Sequence, residues 1–157
     1  MLNRIAVLLA LFLLAGACSS NDEEPQTVEK SVRDLRPGDC FNGSPTAPQN
    51  AKQGEETVLV VAALPCGESH EKEVFAVFEH PAKSDALFPG EKAVAKVAQD
   101  GCAERFADYV GRPFGDSDLR VAVVAPGLAH WDQKDRTIVC TLQGDPFLKG
   151  SKKAGAG

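Results

Sequence analysis

The sequence predicts an α+β fold: a small antiparallel sheet of four to five strands, with one main helix packed on one face. Two observations predict it. Several short β-branched runs bounded by turn residues indicate strands, and one longer segment with apolar residues at three- and four-residue steps indicates an amphipathic helix. A hydrophobic content of 43% with 25% charged residues is ordinary for a globular domain, so one core can form.

The first predicted strands lie in the N-terminal half of the chain. A Pro-Gly turn at residues 37–38 leads into a short strand near Cys40, and residues 42–56 are rich in loop formers. "TVLVVAAL" (57–64) is typical of a buried strand, and a further strand is centred on residues 74–78. Because only a short turn separates these two strands, we expect them to form an antiparallel hairpin.

The main helix is predicted to begin at Glu91 and to end before Gly111. Its apolar stripe comprises Val94, Val97, Ala98, Gly101, Cys102, Phe106, Tyr109 and Val110. After a turn-rich stretch, residues 119–126 and 136–143 are predicted strands, with a loop at 127–135 between them. The sequence therefore predicts several strands with a single main helix between them, a pattern that indicates the α+β class.

The N-terminal residues predict export and anchoring. Residues 1–17 have a short positive start and an apolar run of signal-peptide length, followed by Cys18. Small residues before a cysteine resemble the lipobox of bacterial lipoproteins, although Ala15 occupies a position usually held by leucine. That resemblance implies a lipid such as palmitate on Cys18, with a cleaved secretory signal or an uncleaved anchor as the alternatives. We divide the rest into a flexible tether (18–31), the domain (32–148) and a disordered tail (149–157).

Five cysteines are present, and lipid on Cys18 leaves an even set of four. Outside the cytoplasm such a set predicts two disulfides, for which three pairings exist. Cys102 lies on the apolar stripe of the helix, and Cys140 shares a strand face with apolar neighbours. Packing therefore favours Cys102–Cys140, which leaves Cys40 to pair with Cys66.

Composition and motifs argue against several functions. A formal net charge of −5 without a basic cluster gives no reason to expect nucleic acid as a partner. The stretch "CGESH" raises a metal-binding protein or metal-dependent hydrolase using His70, Glu71 and Glu73, with His130 as a further donor. No Cys-x-x-Cys and no His-Glu-x-x-His occurs, so we assign no metal, no cofactor and no catalytic residue.

An ordered set of motifs resembles the septum-formation-related domain of secreted and lipid-anchored envelope proteins in high-GC Gram-positive bacteria. The motifs are "GDCF" (38–41), "LPCGESHEKEVFAVF" (64–78), Cys102 with Phe106 and Tyr109 in the helix, and Trp131 to Cys140. Ser69 and Lys134 depart from the proline and glycine usual in that family. The resemblance implies a role connected with cell division and brings no catalytic residue set.

Four polar or aromatic residues remain as candidates for a binding patch: His70, Glu73, Trp131 and Arg136. Two interpretations stay open. They form a patch for a partner or glycan, since Trp and Arg are favoured at binding hot spots, or His70 and Glu73 form a solvent-facing pair while Trp131 caps the sheet edge.

These observations predict a non-enzymatic, lipid-anchored extracytoplasmic domain that binds or scaffolds an envelope protein or the cell wall, and the family resemblance implies a link to septum formation. The membrane contact is expected through the Cys18 lipid. An accessory lipoprotein of a transport or sensing complex is the alternative in the same compartment.

Overall fold

The computed structural model of this protein describes residues 26–49 and 58–156. Among them, six strands form one antiparallel sheet in the order β1-β3-β2-β4-β6-β5, with one main helix on one face. The α+β class is as predicted, but four to five strands is slightly too few. The predicted signal peptide and Cys18 lie outside the described residues. None of the described helices is both long enough and apolar enough to cross a bilayer.

The element bounds are as follows. The strands are β1 (Val28–Ser31), β2 (Cys40–Thr46), β3 (Val60–Leu64), β4 (His70–Glu79), β5 (Arg120–Val124) and β6 (Thr137–Leu148). The helices are α1 (Glu91–Val110) and the short α2 (Leu128–Asp132), and 3-10 turns lie at Val32–Asp34 and Phe114–Asp116. The residues predicted as a loop at 127–135 therefore contain α2.

The predicted hairpin between residues 57–64 and the strand centred on residues 74–78 is wrong, because the corresponding strands β3 and β4 are not neighbours in the sheet. β2 lies between β3 and β4 and pairs antiparallel with both, Cys40 being opposite Leu64 on one side and Glu73 on the other. A disulfide joins Cys40 to Cys66, in the turn after β3, at a Cα–Cα distance of 5.3 Å. The chain therefore crosses the end of β2 before it enters β4, which a short connection alone did not reveal.

Both ends of the predicted domain extend further than expected. The tether was predicted to run to residue 31, but Val28–Ser31 form β1, which pairs with β3. The tail was predicted to be disordered from residue 149, but the Gly150 amide donates to the Cys66 carbonyl and the Ala154 amide to the Tyr109 carbonyl. Backbone hydrogen bonds to the domain thus hold these segments in place.

Helix α1 packs its predicted stripe against β4 and β6. Val94, Ala98, Cys102, Phe106 and Tyr109 are buried, and the helix ends at Gly111, whose φ of 80° is left-handed. Gly101 is needed for close packing, because a Cβ there would come within 2.4 Å of Cζ of Phe78. The Cys102–Cys140 disulfide then joins the helix to β6, with a Cα–Cα distance of 5.6 Å. Both disulfides follow the pairing that packing favours.

Both faces of the sheet are buried, and a bulge in β4 changes the alternation of its side chains between them. The register shifts between Val74 and Ala76, so Phe75 and Ala76 both face the helix while Val74 faces the opposite side. The helix-side core comprises Phe75, Ala76, Ala98, Cys102, Phe106, Tyr109, Ile138, Cys140, Leu142 and Leu148. The opposite core comprises Leu35, Phe41, Val61, Val74 and Val139.

Candidate functional site

The carboxylate of Glu73 is fully buried and accepts three hydrogen bonds. The Tyr109 hydroxyl donates to Oε1 at 2.8 Å, the Ser151 hydroxyl donates to the same oxygen at 2.6 Å, and the Lys152 amide donates to Oε2 at 2.7 Å. Burial and the bond to Glu73 raise the pKa of Tyr109, so the phenol keeps its proton. Glu73 therefore fastens the C-terminal segment to helix α1.

His70 lies beside Glu73 and is equally buried. Its Nδ1 donates to the Glu68 carbonyl at 2.8 Å, and its Nε2 has no partner among the described residues. One ligand atom each from Cys40, His70 and Glu73 lies within 4.8 Å of the others. The Cys40 sulfur is in a disulfide, however, and metals bind the thiolate form. Both Glu73 oxygens also accept hydrogen bonds from the protein. The three residues therefore form a structural cluster and not a metal site.

The predicted metal set is not assembled. Glu71 projects away from the buried cluster and accepts a hydrogen bond from the Gly43 amide at 3.1 Å. His130 lies on α2 and borders a small cavity beside Arg33 and Asp135. Only His70 and Glu73 of the four predicted donors come together, because β4 carries both into the same buried cluster.

Trp131 and Arg136 form a second cluster. The Arg136 guanidinium stacks 3.6 Å from the centre of the Trp131 ring and is 5% exposed. It donates to the Trp131 carbonyl at 2.8 Å and the Ser84 carbonyl at 3.0 Å, and the Trp131 indole donates to the Ala86 carbonyl at 2.7 Å. These bonds hold the loop after β4 against α2. The side chains are thus engaged inside the protein.

The four predicted patch residues do not form one exposed surface. His70 is the first residue of β4, whereas Arg136 accepts at its carbonyl from the amide of His80, just beyond the other end of that strand. Ten residues of strand separate the two positions, which is about 30 Å. All four side chains are buried, so the structure contradicts both an exposed binding patch of these residues and a solvent-facing pair of His70 and Glu73.

Replacing Arg136 with lysine is expected to lower the free energy of unfolding by about 2 kcal/mol, because an ammonium cannot reproduce the fork of bonds or the stacking. Chemical denaturation measures the loss. Lys134→Arg, an exchange of the same kind at an exposed position, serves as the control and should change nothing. Equal stability of wild type and Arg136→Lys would contradict the stabilising role assigned to the Arg136 guanidinium.

The same cluster predicts a dependence of stability on pH. Burial, with the nearby Arg136 charge, lowers the pKa of His80 below its ordinary 6.5. The unfolded chain then binds more protons than the folded one as the pH falls below 6.5, so this contribution to stability is complete above that pH and declines below it. Unfolding of His80→Asn, measured from pH 7.5 to 5, should lack this decline. If the stability of His80→Asn declined with falling pH as it does in wild type, the decline would arise from a group other than His80.

An open groove lies between α1 and β5, and it was not predicted from the sequence. It has a volume of about 510 Å³ and is lined by Ala95, Gln99, Ala103, Phe106, Phe114, Val121, Val123 and Ala125. No lining side chain is charged and only Gln99 is polar. The signal that could have found it is the series of residues 95, 99 and 103 at four-residue steps beside the buried stripe. We call this cavity the α1–β5 groove.

A family model described as Septum formation matches residues 19–154. This range contains both disulfides, the Glu73 cluster and the α1–β5 groove. No curated protein and no solved structure matches the chain. The matched family is not a known enzyme family. On a match that covers most of its length, the chain belongs to the septum formation family.

Proposed function

We propose that this chain is a non-enzymatic, lipid-anchored extracytoplasmic domain that binds an envelope partner during septum formation. Family membership supports the septal and envelope part of the proposal. The anchor rests on Cys18, which follows the predicted signal peptide directly and precedes the matched range by one residue. A lipid at that position leaves the whole matched domain outside the cytoplasm.

The disulfides support the compartment. All four cysteines among the described residues are paired, and one pair is completely buried in the helix-side core. Such bonds form and persist where the environment is oxidising. We expect the domain to reach its folded state only after export, in the space where the septum is built.

The observation that carries a binding function is the α1–β5 groove. Two of the polar candidates are already bound inside the protein: Glu73 holds the tail, and Arg136 holds the loop after β4. The groove instead offers an uncharged surface in the size range of ligand sites, about 300 to 1,000 Å³. An apolar partner surface, rather than a reacting substrate, suits that lining.

Mass spectrometry of the mature protein tests the anchor. We expect an N-terminal peptide that begins at Cys18 and carries the mass of acyl chains on its sulfur and amine. Cys18→Ser should lack the acyl mass and accumulate with residues 1–17 attached. A wild-type protein that begins elsewhere, or begins at an unmodified Cys18, would contradict the proposal.

Site-specific crosslinking in living cells tests the partner. A photoreactive residue at Ala103, inside the groove, should yield adducts with proteins of the division machinery. The same residue at Ala93, which is exposed on α1 but does not line the groove, serves as the control and should yield none. Adducts with a transporter instead would favour the accessory-lipoprotein alternative.

A further inference from the structure

Strand β5 is an open edge of the sheet. Within residues 26–49 and 58–156 it pairs with β6 alone, so its outer row of backbone N–H and C=O groups has no strand partner. The opposite edge, β1, places Glu29 and Lys30 in a four-residue strand, a common protection against further pairing. β5 has Arg120 at its start and then only Val and Ala. Of the two edges, β5 is therefore the one that can accept a further strand.

The α1–β5 groove runs along this edge. Val121 and Val123 line it, as does Ala125 just beyond the strand, so every second residue faces the groove. A strand added beside β5 would share its pleat and would direct its own alternate side chains into the same groove. Backbone pairing and an apolar pocket are thereby offered by one surface, which is the arrangement that β-augmentation uses.

We propose that β5 and the α1–β5 groove bind an extended segment of a partner protein as a seventh strand, with apolar side chains at alternate positions. The proposal rests on the proposed function and names the chemistry of its partner. Five residues of β5 span about 17 Å, so two or three partner side chains would enter the groove. The uncharged lining selects Val, Leu, Ile or Phe at those positions.

Segments of the chain outside the described residues do not suit the groove. Residues 19–25 and 50–57 are polar and contain no alternating apolar pattern. The apolar run at 5–17 belongs to the predicted signal peptide, which processing removes. The occupant therefore comes from another molecule.

The edge is also short for self-association. A lasting dimer buries about 800 Å² on each partner, and two edges of about 17 Å, one strand wide, fall well below that area. A single extended peptide needs only such an edge together with a pocket for its side chains. A partner segment therefore fits this surface better than a second copy does.

A peptide library screened against the full chain in detergent tests the proposal. Seven-residue peptides would carry Val, Leu, Ile or Phe at alternate positions and Ser or Thr between them. We expect wild type and Ala93→Trp to enrich the same peptides, and Ala103→Trp, which fills the groove, to weaken their binding at least tenfold. Both alanines are exposed, and matched unfolding curves would confirm that both variants fold.

The wild-type protein gives a second readout. Backbone pairing uses the N–H groups on only one edge of a bound strand. Two versions of an enriched peptide, N-methylated at the odd or at the even positions, should therefore differ at least tenfold in affinity. No enrichment, equal loss with both methylated versions, or binding unaffected by Ala103→Trp would overturn the proposal.

A dimer of the full chain that Ala103→Trp dissociates would overturn the proposal in favour of a second copy. Failure of the peptide screen alongside an acylated Cys18 and septal crosslinks would remove only the strand-addition mechanism. The proposed function would then stand without it.

Discussion

Replacing Cys102 and Cys140 together by alanine is expected to lower the free energy of unfolding by about 4 kcal/mol. The bond closes a loop with a sequence separation of 38, and the chain entropy that it removes from the unfolded state corresponds to about 3.9 kcal/mol. Both sulfurs are completely buried between α1 and β6, so their loss also opens space in the helix-side core. For a small domain this is a large share of a stability of about 5 to 15 kcal/mol.

Urea unfolding without reducing agent measures this loss. The matched control is the alanine pair at Cys40 and Cys66, whose separation of 26 corresponds to about 3.5 kcal/mol by the same treatment. Because Cys66 is only partly buried, the control should leave a smaller cavity and cost less. A loss below 1 kcal/mol for the Cys102–Cys140 pair would show that this bond does not hold the helix to the sheet.

Replacing Glu73 with alanine is expected to cost about 3 to 4 kcal/mol and to release the C-terminal segment. Three donors lose their acceptor, and the Tyr109 hydroxyl is left buried without a partner. The Lys152 and Lys153 peptide bonds should then become accessible, so trypsin should cleave there much faster than in wild type. Denaturation gives the energy and digestion gives the release.

Tyr109→Phe is the matched control, because it removes one of the three bonds and leaves the carboxylate in place. It should cost about 1 to 2 kcal/mol and leave residues 151–153 protected from trypsin. Glu73→Gln should fall between the two, since an amide can accept only through one atom. Digestion of Glu73→Ala at the wild-type rate would show that the tail is held by other contacts.

The parts of the fold that the sequence predicts are those governed by local periodicity. The α1 stripe repeats at helical steps, and its buried residues include Val94, Cys102 and Tyr109 as expected. The same stripe pointed Cys102 toward Cys140 and so favoured the pairing that the structure contains. The local pattern was sufficient to predict the buried residues of α1 and the position of Cys102, because both depend only on which face of this one helix is apolar.

The order of the strands in the sheet could not be predicted from local periodicity. β2 enters between β3 and β4 because its two edges pair with both, and nothing in the local pattern of β2 distinguishes a central strand from an edge strand. The bulge at Phe75 likewise reverses the expected alternation in β4. Tertiary pairing decides both features.

The candidate site was hidden for a related reason. The sequence predicted a binding patch that includes Glu73, Trp131 and Arg136 because these residues are polar or aromatic. In the structure all three are buried and contact other parts of the domain. The α1–β5 groove is lined by alanine and valine, residues that carry no distinctive chemistry. Its existence depends on β5 being an edge beside α1, and that follows only from the assembled sheet.

Time-lapse localisation of a fluorescent protein fused after Gly157 tests the central claim most directly. The account predicts enrichment at midcell as the septum forms, with Ala93→Trp behaving like wild type and Ala103→Trp remaining around the whole periphery. An even peripheral signal of the wild-type fusion throughout division would contradict a septal binding role.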